Sequence, residues 1–406
     1  MSQTEAAPDG TDSMVDWDLA LTTARRLVRP GPDVSVEEAR QVVSDLREFA
    51  QKAEGHVRAY TGLRATGARA PVVVVDRNGW AQANVDAFRQ ILEPLSDKLR
   101  SRRGGPDTSP MGALGSRVTG VETGALLAFL SSKVLGQFDP FWSDDDAGAT
   151  VPEPRHSVDE PVDSTHDGGA HPVRPDGRSS ELVPGMAPAG RLLLVAPNVA
   201  HIERELGVNP QDFRLWVCLH EETHRVQFTA VPWLRDHLRG QIKAFLEQTD
   251  LDPSAVFSQL RQGLEQVGRI ARGGDQGVSF IDLVQTPAQR EILDRVTAVM
   301  SLLEGHADVV MDGVGPEVIP TVATIRERFQ DRRGSGNWID QFLKRLLGLD
   351  AKLRQYRDGA AFVRAVVDQV GQEGFNQVWT TPEHLPTKAE ITDPDAWVRR
   401  VHGSPS

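Results

Sequence analysis

Apolar residues recur every three or four positions along much of the 406-residue chain, and this period predicts a mostly helical protein. From Asp16 to about Tyr60 the spacing is helical. Within SVEEARQVVSDLREFAQKAEGHV, Val36, Ala39, Val43, Leu46 and Ala50 mark one face, and Ser35 with Glu38 resembles a capping box. The period then gives way to PVVVV, residues 71–75, a β-branched run opened by proline that reads as a strand. A helix is expected from about Trp80 to Leu99, followed by a turn from about Arg102 to Pro110. GVETGALLAFLSSKVLGQFDPF is apolar nearly all round and predicts a helix buried on every side.

Residues 143–188 break the pattern. Asp, Gly, Pro and Ser dominate, little could be buried, and the segment reads as a disordered acidic insert. Its histidines, His156, His166 and His171, are irregularly spaced among acids and read as solvated linker residues. Order returns with GRLLLVAP, a second strand, and NVAHIERELG, a helix closing on Gly207. Further helices follow beyond Pro320, in NWIDQFLKRLLGLDAKLRQY and GAAFVRAVVDQVGQEGFNQVW. The fold class is therefore α+β, predominantly helical, with a small sheet. It divides into a polar terminus (1–13), a helical N-terminal region (14–142), the insert (143–188), a core (189–320) and a C-terminal helical region with its tail (321–406).

Composition narrows the function. With 45 Lys and Arg against 57 Asp and Glu, the net charge of −12 leaves no basic excess for tracking phosphates, which excludes a nucleic-acid binder. The single cysteine, Cys218, excludes an intrachain disulfide. The first residues lack the basic start and apolar run of a signal peptide, and no apolar run approaches the ~20 residues needed to cross a bilayer. A cytoplasmic protein without a membrane partner is the expectation. Oligomeric state is not legible.

The chemistry concentrates in GVNPQDFRLWVCLHEETHRVQF. Asn209 is a natural N-cap, Pro210 fits the first helical position and Asp212 sets a carboxylate in the first turn. Phe213, Val217, His220 and His224 step by four, three and four, so both imidazoles share the stripe that faces inward. Glu221 projects about 100° round from His220. His220-Glu221-Glu222-Thr223-His224 is the pattern H-E-x-x-H, in which two imidazoles one turn apart reach one Zn²⁺ and the glutamate takes a proton from its bound water. The competing reading is a salt-bridged helix surface with incidental histidines. Cys218, about 200° from His220, cannot join the same metal.

A catalytic zinc needs a third protein ligand. Gln227 and Ala230 stand where a metzincin has Gly and His, which excludes that class. His237 lies beyond Pro232 and is a weak choice. In TPAQREILDRVTAVMSLLEGHADVVMDG, Thr286 caps, Pro287 opens and Gly313 ends a helix with Val296, Met300, Leu303, Ala307 and Val310 on its apolar face. Glu304 falls inside that face, where a carboxylate is costly unless paired or bound to metal. Gly305 beside it permits close approach of another helix. Asp308, one turn on, is placed to accept the outer N–H of a ligand histidine, His220 first. A Glu–Arg or Asp–Arg pair within a bundle is the competing reading. Beside the H-E-x-x-H helix, the metal reading prevails.

At these two helices the chain resembles the gluzincins, the thermolysin-like metallopeptidases, through His220, Glu221, His224, Glu304 and Asp308. Longer stretches carry a closer resemblance: VVVVDRNGWAQANVDAFRQILEPL, LLLVAPNVAHIERELGV, LWVCLHEETHRVQFTAVPWLRDHL and SLLEGHADVVMDGVG. They are similar to the actinobacterial zincin-like proteins of type 2, and most of all to a branch labelled coenzyme F420 biosynthesis-associated. The resemblance implies a zincin-like, gluzincin-type core over 189–320, with the 191–196 strand beside an extended peptide or protein substrate. It implies a zinc-dependent metallopeptidase or amide hydrolase whose zinc-bound water is activated by Glu221. His306 and Tyr356 are the nameable oxyanion or proton donors, although His306 lies about 200° from Glu304 on a regular helix. Two other readings remain: a non-proteolytic zinc-binding accessory of F420 biosynthesis, and a metal-free helical interaction protein.

Overall fold

A computed structural model describes residues 14–65, 70–103, 110–143, 190–248, 287–334 and 355–403. Strands β1 (Val72–Val75), β2 (Gly136–Asp139) and β3 (Arg191–Val195) form one sheet in the order β1-β3-β2. β1 runs parallel to β3, with Val72 opposite Leu192, and β2 runs antiparallel to it, with Gly136 opposite Leu194. Every residue of β3 is buried. Leu193 and Val195 face α1 (Trp17–Leu27), α3 (Arg77–Arg103) and α4 (Pro110–Ser131). Leu194 faces α2 (Val36–Thr61), α5 (Ala196–Leu206) and α6 (Pro210–Ala230). A strand covered on both faces reads as an unbroken apolar run, and RLLLV does.

The sheet order corrects one expectation. The 191–196 strand is central, with a neighbour on each side, so it has no free edge for an extended substrate. The edge strand toward α6 is β2, which the apolar pattern assigns to the end of a helix. α4 stops at Ser131, and GQFD pairs with β3 despite its low β propensity. Nor is α4 buried all round: Val121 and Phe129 are 44% and 41% exposed. It packs along one side only, against α1 and α3.

Helix α2 starts as expected, with the Ser35 hydroxyl accepting from the Glu38 N–H at 3.1 Å. Its packed face is Val42, Leu46, Phe49, Ala53 and Val57, so burial begins a turn later than the periodicity suggests, and Val36 and Ala39 are exposed. α5 ends on Gly207 in the left-handed conformation.

A second core lies under the C-terminal half. α7 (Pro232–Gln248), α8 (Pro287–Val318) and α10 (Gln355–Phe375) contribute Leu234, Leu302, Phe362 and Val366, closed off by Trp397 of α12 (Pro394–His402). Between these lie α9 (Val322–Gly334) and the short α11 (Lys388–Thr392). Gly305 does admit a second helix: a Cβ there would lie 2.2 Å from the Gly359 carbonyl carbon of α10. Gly313 does not end its helix. The break falls at Gly315 (φ 65°), and Gly313 instead leaves room for the Tyr60 ring, 2.0 Å from where a Cβ would stand. Thr286, the insert beyond Ser143 and residues 337–354 lie outside the described residues. No helix among those described is long and apolar enough to cross a membrane.

Candidate metal centre

Helix α6 runs between the two cores, and its polar residues are buried in pairs rather than solvated. Asn209 caps it, accepting from the Gln211 and Asp212 N–H groups at 3.0 and 3.2 Å. Arg214 makes a two-pronged contact with Glu203 (2.9 and 2.5 Å) and a third bond to Asp45 (2.6 Å). Arg225 donates to Glu222 at 2.6 Å and to the Ala70 carbonyl at 3.0 Å. Buried charges matched in this way fix the rotation of α6 about its axis. That rotation keeps Phe213 and Val217 of the stripe in the core and delivers His220 and His224, further along it, to a partly open cleft facing α8.

There Glu304 meets both rings. His220 Nε2 and His224 Nε2 are 3.3 Å apart, and the Glu304 carboxylate oxygens stand 3.7 Å from the first and 3.6 Å from the second. A tetrahedral ion with ligands at about 2.0–2.1 Å requires its donor atoms to be separated by about 3.3–3.4 Å. The two nitrogens meet this spacing, each is nearest a different oxygen of Glu304, and one donor atom from each of the three residues lies within 4.8 Å of the other two. They are the one group of at least three His, Cys, Asp or Glu ligand atoms that the described residues bring together in this way. Two imidazole nitrogens and one carboxylate are a donor set suited to zinc. The side chains are 27%, 13% and 37% exposed, which leaves a face of the triangle toward solvent for a fourth ligand.

Glu221 lies beside this triangle, buried against β2. A Cβ on Gly136 would come within 2.5 Å of Glu221 Cγ and 2.9 Å of its Oε1, so only glycine leaves space for this carboxyl group. Burial first, and then the charges of Glu304 and Glu222, push its pKa up to about 8. A carboxyl tuned near neutrality next to a convergent donor set is what a general base requires.

The chain matches the sequence pattern of the zincin-like metallopeptidases over residues 15–398. It belongs to that family. A solved structure from Chloroflexus aurantiacus, described as "a putative hydrolase with a novel fold", is 28% identical, with a TM-score of 0.63, over 96% of this chain and all of the other. No curated protein matches.

The remaining predicted residues of this zincin-like chain fall around the triangle. His306 lies behind His224, 1% exposed, with its ring stacked on Phe375 at 5.4 Å and edge-on to Trp379 at 5.3 Å. It therefore faces the second core and not the open side of the cleft. Burial, and to a smaller extent His224, hold its pKa down to about 3, so it is a neutral ring. Asp308 accepts on its backbone carbonyl from Arg326. Tyr356 stands in the first turn of α10, and its side chain is outside the described residues. His237 packs edge-on to Trp233 at 6.0 Å and is not among the converging donors. Cys218 is fully buried, and burial pushes its thiol pKa up.

One participant is absent from the sequence-based candidates. Gln227, fully buried, has its Oε1 3.0 Å from His224 Nδ1 and its Nε2 2.9 Å from His306 Nδ1, and it donates to the Leu303 carbonyl at 3.0 Å. In the sequence it serves only to exclude the metzincin pattern. Its position one turn beyond His224 is the signal that points to it.

Proposed function

We propose that the protein is a zinc-dependent peptidase or amide hydrolase. The observation that carries the reading is the convergence of His220, His224 and Glu304, with one donor atom of each within 4.8 Å of the others, beside a buried Glu221. These three side chains would hold the ion, which when bound supplies Lewis acidity to a carbonyl and to water. Glu221 takes the proton from the attacking water. Its buried position keeps that proton from bulk solvent, and the same carboxyl group returns it to the leaving nitrogen. Membership of the zincin-like family and the structural likeness to a protein described as a hydrolase support this reading.

Glu221→Gln tests it. The amide keeps size and hydrogen-bonding capacity but cannot take up a proton. Peptide turnover should fall by at least 10²-fold, with one zinc per chain retained in both proteins. Wild-type protein that neither binds zinc nor cleaves any member of a peptide library would end the reading.

The substrate is proposed to lie along β2. The Val195 N–H donates to the Leu135 carbonyl at 2.8 Å, so Leu135 and Val195 form a bonded pair. By antiparallel alternation the backbone groups of Gly136 then point away from β3, toward the edge beside Glu221. An extended peptide added there gains main-chain hydrogen bonds and brings an amide to the base. In an N-methyl scan of a cleaved peptide, kcat/KM should drop about tenfold or more at one or two backbone positions. A flat scan would remove β2 as the binding edge.

A further inference from the structure

We infer that Gln227 is a positioning residue: it fixes the proton of His224 on Nδ1, presents the Nε2 lone pair to the site, and holds the helix of Glu304 in register with it. The inference rests on the zinc reading for its purpose but not for its geometry. A backbone carbonyl has no hydrogen, so the group of Gln227 that faces Leu303 O at 3.0 Å must be the amide nitrogen. That decides which way the amide points. Its oxygen then faces His224 Nδ1 at 3.0 Å, and since an amide oxygen only accepts, Nδ1 must carry the hydrogen. A neutral imidazole with hydrogen on Nδ1 has its lone pair on Nε2, the atom 3.6 Å from Glu304 Oε1.

The second amide hydrogen of Gln227 is directed at His306 Nδ1, 2.9 Å away, which must accept it. His306 therefore carries its own hydrogen on Nε2, the nitrogen that has no hydrogen-bond partner among the described residues. A buried donor left without a partner is a cost, and here it accompanies the acceptor that Gln227 needs. Every hydrogen-bonding position of the Gln227 amide that faces this neighbourhood is thus committed, and each bond has one allowed direction. Leu303 immediately precedes Glu304, so the bond that orients the amide also sets the distance between α6 and the carboxylate on α8.

The test uses full-length protein, with zinc alone as the probe. Nitrogen-15 NMR of the imidazoles in metal-free wild type should show His224 as the Nδ1–H tautomer and His306 as the Nε2–H tautomer. Gln227→Leu should lose the His224 signature and bind zinc about 10–100-fold more weakly in chelator competition, the usual effect of removing a partner of a ligand histidine. Gln227→Glu can accept from His224 but cannot donate to Leu303 or His306. It should keep the His224 tautomer yet still lose affinity.

Wild-type His224 found as the Nε2–H tautomer would overturn the inference with no variant needed. So would unchanged zinc affinity in a folded Gln227→Leu. Should wild type bind no zinc while the tautomers stand as described, the zinc reading falls and the positioning role of Gln227 survives.

Discussion

A carboxyl group held out of water between two other carboxylates keeps its proton until a cation arrives, and this sets how Glu221 behaves. Metal-free, its pKa is raised from the ordinary 4.5 to about 8, so at pH 7 the group is mostly neutral. Because the folded value lies above the unfolded one, its contribution to stability is fully present below about pH 4.5. It is lost as pH rises through 8. A divalent ion on His220, His224 and Glu304 reverses the local field and favours the carboxylate. Zinc binding near pH 7 should therefore expel close to one proton from Glu221 in addition to any lost by the ligands. Calorimetry in buffers of different ionisation heat measures this, and Glu221→Gln should release about one proton fewer. The difference should vanish by about pH 10, where Glu221 has already ionised. Equal release from both proteins at pH 7 would show that the carboxyl group does not sense the ion.

Between elements, the decisive contact is the crossing of α8 and α10. Gly305 and Gly359 meet backbone to backbone: a Cβ on Gly359 would stand 2.1 Å from the Ser301 carbonyl oxygen. Gly305→Ala must push the helices apart or bend one of them, at about 1–3 kcal/mol or more. Since Glu304 is the adjacent residue, zinc affinity should fall as well. Gly240→Ala on α7, where a Cβ meets nothing within 4 Å, should be neutral or stabilise by up to about 1 kcal/mol. Thermal melts and chelator competition on both variants check this. Gly305 is legible in the sequence because a residue without a side chain, set beside a carboxylate in an apolar stripe, marks a close helix crossing. His220 and His224 are legible because helix geometry alone puts positions i and i+4 together. The roles of β2 and Gln227 are not. GQFD becomes a strand only because β3 offers its edge, and Gln227 acquires its role from a carbonyl 76 residues away. The i+3 spacing sets Gln227 beside His224, but local pattern carries no trace of the Leu303 carbonyl or of the β3 edge. The phase error at Val36 and the exposed side of α4 have the same origin: periodicity gives a face but not where its cover begins.

At the scale of the molecule, the three candidate ligands lie where the two cores meet. Val217 and Val226 of α6 belong to the core under the sheet, and α8 spans both cores, with Val310 and Met311 in the first and Leu302 and Leu303 in the C-terminal one. An ion bound by His220, His224 and Glu304 would reinforce this link at the α6–α8 contact near Leu303. Binding to the folded state alone stabilises it by about 2.7 kcal/mol at free zinc 100 times Kd, which is a rise of only a few degrees in a chain this long. Its distribution is more telling than its size. Metal removal by a chelator should raise amide hydrogen exchange in the middle of α6 and in α8 around Leu303. It should leave α1 and α4 unchanged, because they pack on the far face of the sheet through Trp17, Ala24 and Leu127. Exchange that rose uniformly, or rose first in α1 and α4, would mean that the ion does not bridge the cores at this contact. A localised rise would place the ion's mechanical effect where the three donor atoms converge, independently of any measurement of catalysis.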